Sequence, residues 1–131
     1  MTKIKKRSLT DINFKPLPNR VFGEVFSAET FGTQEVTFRI VDLVPLSEQQ
    51  PRRPHWHEDF EEVIYYLQGQ GRMWVEGEWH DVAAGDTVLV PPGVVHATFN
   101  VTEEPLRLLC FFPRAVIEPF SFTDEYLTLE S

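Results

Sequence analysis

Short apolar runs, each cut off by proline or glycine, constrain this chain more than any other feature of its sequence. The run from Val36 to Leu43 is rich in β-branched and aromatic residues, alternates in part and stops before Pro45. Val63 to Leu67 is closed by Gln68-Gly69-Gln70-Gly71, and Arg72 to Val75 runs into a hairpin-like turn, Glu76-Gly77-Glu78, that leads to Trp79. Thr87 to Val90 ends at Pro91-Pro92-Gly93, Val95 to Val101 follows, and Leu106 to Phe112 ends at Pro113. β-Branched and aromatic side chains pack well on a pleated surface, and such runs between turn residues predict an all-β sandwich or barrel. No segment sustains a 3.6-residue period over helical length; only Asp124 to Leu129 is expected to make a helical turn.

The 131 residues, 42 % of them apolar, suffice for one hydrophobic core, so a single domain is expected. No apolar run approaches the ~18 residues that cross a bilayer. The opening Met-Thr-Lys-Ile-Lys-Lys-Arg stretch is basic but lacks the apolar segment of a secretory signal. The lone cysteine, Cys110, forms no internal disulfide, and its apolar neighbours predict a buried, inert thiol. A cytoplasmic protein without membrane association is the expectation.

The net charge of −8 is unevenly spread. Residues 1–20 hold six of the twelve basic side chains and one acid, while residues 21–131 hold six bases and nineteen acids, a balance of −13. An acidic body argues against nucleic acid, whose phosphates need a basic face. The Lys3, Lys5, Lys6, Arg7 cluster is read as a solvated terminus.

His55-Trp56-His57 is the first feature that points to chemistry. On an extended strand, residues i and i+2 share a face, so both imidazoles project together and Trp56 points away. Neutral imidazoles are good transition-metal ligands, although H-x-H alone is not specific. Glu61 and Glu62 follow, and a second segment runs Gly85-Asp86, Thr87 to Val90, Pro91-Pro92-Gly93-Val94-Val95-His96 and on to Asn100.

Together these segments resemble the cupin superfamily. Its first motif, H-x-H, three or four residues, Glu, six residues, Gly, is matched by His55, His57, Glu62 and Gly69. Its second, Gly, five residues, Pro-x-Gly, two residues, His, three residues, Asn, is matched by Gly85, Pro91, Gly93, His96 and Asn100. The resemblance implies a single-domain jelly-roll barrel (a double-stranded β-helix) over 1–131. Its core would span 33–113, with an N-terminal arm and edge strands over 1–32 and a C-terminal extension over 114–131. It also implies one divalent transition metal ion, Fe, Mn, Ni or Zn, held by His55, His57, Glu62 and His96. A three-residue gap would nominate Glu61 instead; the spacing to Gly69 and strand alternation favour Glu62.

With Glu62 inward, Ile64 and Tyr66 are expected to face the cavity and Val63, Tyr65 and Leu67 to face out. Glu62 and Tyr66 are the candidate catalytic groups, and Ile64, Arg72 and Thr98 the candidate substrate-lining residues. Glu58, Asp59 and Glu61 are expected at the rim, lending the mouth a negative field. Asn100 is read as supporting the strand, His80 as exposed, and the loop Ser47 to Pro54 as the lip of the site. The resemblance implies a metal-dependent enzyme acting on a small-molecule substrate, a dioxygenase first. The alternatives are an isomerase or lyase, or a binding and sensor protein without catalysis. An aromatic surplus, Phe14, Phe22, Phe26, Phe31, Phe120 and Phe122, predicts a homodimer.

Overall fold

Strand pairing in the computed structural model, which describes residues 3–131, sorts the chain into two antiparallel sheets. The strands are β1 (Lys15–Leu17), β2 (Arg20–Phe26), β3 (Thr37–Leu43), β4 (His55–Trp56), β5 (Glu62–Gln68), β6 (Gln70–Val75), β7 (Glu78–Ala83), β8 (Thr87–Val90), β9 (His96–Asn100), β10 (Leu106–Phe112) and β11 (Ser121–Phe122). One sheet has the order β1-β2-β3-β10-β5-β8 and the other β11-β4-β9-β6-β7. This is the all-β class that the short, turn-bounded runs imply, in the jelly-roll form that the cupin resemblance implies.

The main core lies between the sheets, where Leu43, Ile64, Tyr66, Met73, Leu106 and Leu108 pack together. Burying a side chain of this size contributes roughly 1.5–3 kcal/mol. A second cluster, Trp74, Trp79, Ala97 and Phe99, sits on the outer face of the five-stranded sheet beneath Leu127 and Leu129. The chain crosses from one sheet to the other at Gly69, whose φ of 97° suits glycine. A Cβ there would also lie 2.6 Å from the Pro105 carbonyl oxygen.

Three expectations change. The segment Asp124 to Leu129 is not helical: Leu127 pairs with Arg52 through two backbone hydrogen bonds, of 2.9 and 3.0 Å, which hold the tail extended. The basic N-terminal cluster is not wholly solvated. Arg7 donates to the carbonyls of Asp11, Glu24 and Val25 and stacks on Phe31, while Lys5 donates to the Phe31 carbonyl. The aromatic surplus is only partly left for a partner: Phe14 covers Gly23, Phe26 meets Phe31 edge-on, and Phe22, Phe120 and Phe122 line an internal cavity, while Phe31 and Phe122 stay 43 % and 42 % exposed.

What remains uncovered is the outer face of the six-stranded sheet. Phe38, Phe111, Val63 and Leu89 are register partners across β3, β10, β5 and β8, so they form one apolar row. Leu89 is 57 % exposed and Phe111 44 %.

Candidate metal centre

Strand geometry assembles the site from both sheets. His55 on β4 lies directly opposite His96 on β9, their ring centroids 4.4 Å apart. His57 returns to the same side two residues on, and Trp56 points away, donating to Glu58 at 2.7 Å. Glu62 reaches in from the start of β5, and the Pro91-Pro92-Gly93 turn brings β9 back; Gly93 N–H donates to the His57 carbonyl at 2.7 Å. The four ligand atoms offered by His55, His57, Glu62 and His96 all lie within 4.8 Å of one another. Glu61 is exposed and outside this group.

The donor set fits a divalent transition metal ion on its own chemistry. His96 Nδ1 lies 2.9 Å from the Val94 carbonyl oxygen and donates to it. A neutral His96 therefore turns the Nε2 lone pair toward Glu62 Oε1, 3.3 Å away. His57 Nε2 lies 3.2 Å from that same oxygen. Where the His96 lone pair meets the Glu62 oxygen, two acceptors face each other in a buried site, which calls for a cation between them, either a proton or a metal. Burial, then the neighbouring His96, push the His55 pKa well below its ordinary value and keep the imidazole neutral. Burial pushes the Glu62 carboxyl up, but the contacts with the His57 and His96 nitrogens, and after them the pull of His96 and His55 in their protonated forms, outweigh it, bringing it down to about 2. Neutral imidazole and ionised carboxylate are the forms that bind metal.

His57 is held differently from His96. Its Nδ1 is buried without a partner. The ring stacks on Phe60 at 5.0 Å and meets Phe112 and Phe120 edge-on at 5.3 and 4.7 Å. Packing, in place of a second hydrogen bond, sets its orientation.

A cavity of about 330 Å³ opens beside these ligands. Glu62, His55 and His96 lie at one side, and Ile64 and Thr98 face it as neighbours of the ligands along β5 and β9. Cys110 also borders it; burial and the nearby Glu62 carboxylate push its thiol well up, so it stays protonated. The C-terminal segment forms part of the wall, with Phe122 pairing to His55 across β11 and β4.

Two candidate residues fall elsewhere. Arg72 is on the outer face of β6, opposite Phe99, with its guanidinium 4.5 Å over the Trp79 ring. The sheet change at Gly69 makes its facing unreadable by counting. Tyr66 points inward yet lies behind the cavity surface: its hydroxyl is 2.9 Å from Thr98 Oγ1, and burial pushes its pKa up. Asn100 is fully buried and supports the chain, donating to the Val44 and Glu104 carbonyls, while His80 is exposed.

The acidic rim is also revised. Glu58, Asp59 and Glu61 are exposed and none borders the cavity. Four of the eight arginines border it instead: Arg20, Arg39, Arg52 and Arg53. Arg52, partly buried, donates to the Thr98 carbonyl at 2.7 Å, and burial followed by the charge of Arg20 lowers its pKa to about 10. The loop from Ser47 to Pro54 does reach the site, but through these basic side chains, whose role the acidic composition concealed.

A jelly-roll barrel with three imidazoles and one carboxylate converging beside an internal cavity defines a class of metal-binding β-barrels. The chain belongs to the cupin family: the family described as Cupin domain matches residues 40–112. An uncharacterised protein of Methanocaldococcus jannaschii is 39 % identical over 56 residues, 43 % of this chain and 45 % of that protein. The glucose-6-phosphate isomerase of Thermococcus gammatolerans is 36 % identical over 66 residues, 45 % of this chain and 35 % of the isomerase. The chain thus spans less than half the length of these curated relatives. The polyketide cyclase RemF of Streptomyces resistomycificus shares the fold with a TM-score of 0.76 at 19 % identity, covering 96 % of this chain and 88 % of RemF. The Bacillus subtilis oxalate decarboxylase studied for its Mn(II) centres gives 0.71 at 24 %, covering 87 % of this chain and 30 % of that one.

Proposed function

We propose that this protein is a mononuclear metal-dependent enzyme acting on a small organic molecule, with dioxygenation the first reading. The observation that carries it is the convergence of two imidazole nitrogens on Glu62 Oε1 beside an internal cavity. An ion held by His55, His57, Glu62 and His96 would supply open coordination positions for substrate and O₂. The chain's own residues fix the rest. The Val94 carbonyl orients His96, phenyl rings orient His57, and Ile64, Leu108 and Phe120 exclude water from the cavity wall. Tyr66, withdrawn behind Thr98, is assigned a positioning role, holding the Thr98 hydroxyl.

Isomerase or lyase chemistry is the second reading, favoured by the similarity to part of the Thermococcus isomerase. A homodimer is part of the proposal, supported by the uncovered row through Phe111 and Leu89. A cytoplasmic setting is also part of the proposal. Among the described residues, no helix is long and apolar enough to cross a membrane.

The deciding experiment is metal analysis of untagged protein prepared without oxygen, with His96→Ala alongside, followed by O₂-uptake screens. Near-stoichiometric iron that disappears in the variant is expected. Zinc or manganese retained under the same handling would favour the second reading. Absence of any metal in the wild type after reconstitution would overturn both.

A further inference from the structure

The cavity carries a charge pattern that the metal ligands do not explain. The chain has a net charge of −8, yet among the charged side chains bordering the cavity Glu62 is the only acid and four are arginines. Arg39 is neutralised by Glu24 at 2.9 Å and by Glu118. Arg20, from β2, and Arg52, from the loop ahead of β4, have no carboxylate at ion-pair distance among the described residues. Arg20 donates only to the Pro18 carbonyl at 3.2 Å, and Arg52 to the Thr98 carbonyl. Each guanidinium has five N–H donors, so most of its capacity is unspoken for. Arg53, also bordering the cavity, lies 5.0 Å over Phe122 and 5.6 Å over Tyr126.

Both Arg20 and Arg52 are partly buried and border one cavity, so their charges repel, and burial without a counter-ion is unfavourable. A fold retains such a pair when something negative completes it. Most of the remaining wall is apolar, with Phe22, Val41, Leu43, Leu108 and Phe120, and Asn19, Thr98 and Tyr126 add polar groups. Planar guanidinium forks match a carboxylate by paired hydrogen bonds, and the aromatic surroundings suit a flat or hydrocarbon body. The volume, about 330 Å³, lies at the small end of the ~300–1,000 Å³ typical of ligand sites.

We infer that Arg20 and Arg52 form an anion subsite for the carboxylate of a small amphipathic organic acid, whose apolar body lies in the cavity next to the candidate metal ligands. This deepens the proposed function and rests on it only for what happens at the metal end.

The test is calorimetric titration of the full chain, metal-loaded and chelator-treated, with metal content measured on every sample. The probes are hexanoate, benzoate and phenylacetate, each paired with its primary amide. At least one acid is expected to bind both forms, at least tenfold tighter than its amide. Arg20→Gln and Arg52→Gln are each expected to weaken it at least fivefold with metal content unchanged. Arg52 also ties down Thr98, so the Arg20 variant keeps the test meaningful should the Arg52 variant fold poorly. Acids binding no better than amides, or undiminished in both variants, would overturn the subsite while leaving the metal reading intact. A wild type without metal would defeat the metal reading, and acid binding to that same protein would still support the subsite.

Discussion

His96 Nε2 lies 3.3 Å from Glu62 Oε1 while its Nδ1 is engaged by the Val94 carbonyl, so a neutral His96 presents a lone pair to a carboxylate oxygen. This unfavourable approach is relieved by a cation at that point. Glu62→Gln removes the charge at nearly constant shape and gives His96 an amide donor. The variant is expected to fold and to lose metal affinity by more than the ~10–100-fold typical of losing a mere supporting partner. At a metal concentration of 100 Kd the wild type should gain about 2.7 kcal/mol of stability, a rise of several °C in Tm, and the variant almost none. Thermal melts with and without added metal check this; equal shifts in the two proteins would rule it out.

His57 depends on packing. With Nδ1 unpartnered, its ring is aligned by Phe60, Phe112 and Phe120. Phe120→Ala leaves all four donors in place, yet should weaken metal binding by roughly tenfold, within the range for supporting groups. Competition with a chromophoric chelator measures it. Unchanged affinity would show that His57 is held by something else.

The site should also be acid-labile. For both His55 and Glu62 the folded-state pKa is depressed, so the unfolded chain binds more protons and stability rises with pH. The His55 contribution is lost as pH falls below the ordinary value of 6.5, and that of Glu62 between about 4.5 and about 2. For these two groups protons compete with metal only once pH falls well below 6.5, where affinity should drop by up to about tenfold per pH unit for each proton displaced. Unfolding of the metal-free protein at pH 7.5, 6.5, 5.5 and 4.5 tests the stability half; no loss across that range would contradict it.

Which parts of this were legible in the sequence follows from local geometry. Alternation placed Glu62, Ile64 and Tyr66 on the inner face of β5 because parity holds within one unbroken strand. The pairing of His55 with His57 and the turn at Pro91-Pro92-Gly93 are similarly local. Arg72 was not legible, because the chain changes sheet at Gly69 and the parity count restarts. Nor were Arg20 and Arg52. Arginines at a strand start or in a polar loop of an acidic chain look like surface charge, and only the packing of β2 and the pre-β4 loop against the barrel brings them to one cavity. The aromatic surplus was visible but ambiguous, since cavity walls and subunit interfaces draw on the same residues.

Self-association has a specific address. The row Phe38, Phe111, Val63, Leu89 crosses four neighbouring strands and faces outward. A contiguous apolar surface of this kind marks an interaction site. Sedimentation at micromolar concentration is expected to give twice the chain mass of 15.2 kDa, and Leu89→Lys with Phe111→Lys to return the single-chain value. A wild type sedimenting only at 15.2 kDa would refute the dimer.

Gly69 and Gly85 separate two reasons for requiring glycine. Both have φ of 97°, so alanine at either place incurs the same backbone strain, of about 1–3 kcal/mol. At Gly85 a Cβ meets nothing within 4 Å. At Gly69 it would lie 2.6 Å from the Pro105 carbonyl oxygen and 3.0 Å from Leu106 Cα, both backbone atoms that move only if β10 moves. Since β10 is central to its sheet and Leu106 is fully buried, that displacement disturbs the core directly. Gly69→Ala should therefore destabilise more than Gly85→Ala by about 1–3 kcal/mol, the usual cost of overpacking. Denaturant unfolding of the two variants measures the difference. Equal losses would mean that backbone strain alone accounts for glycine at the sheet crossing.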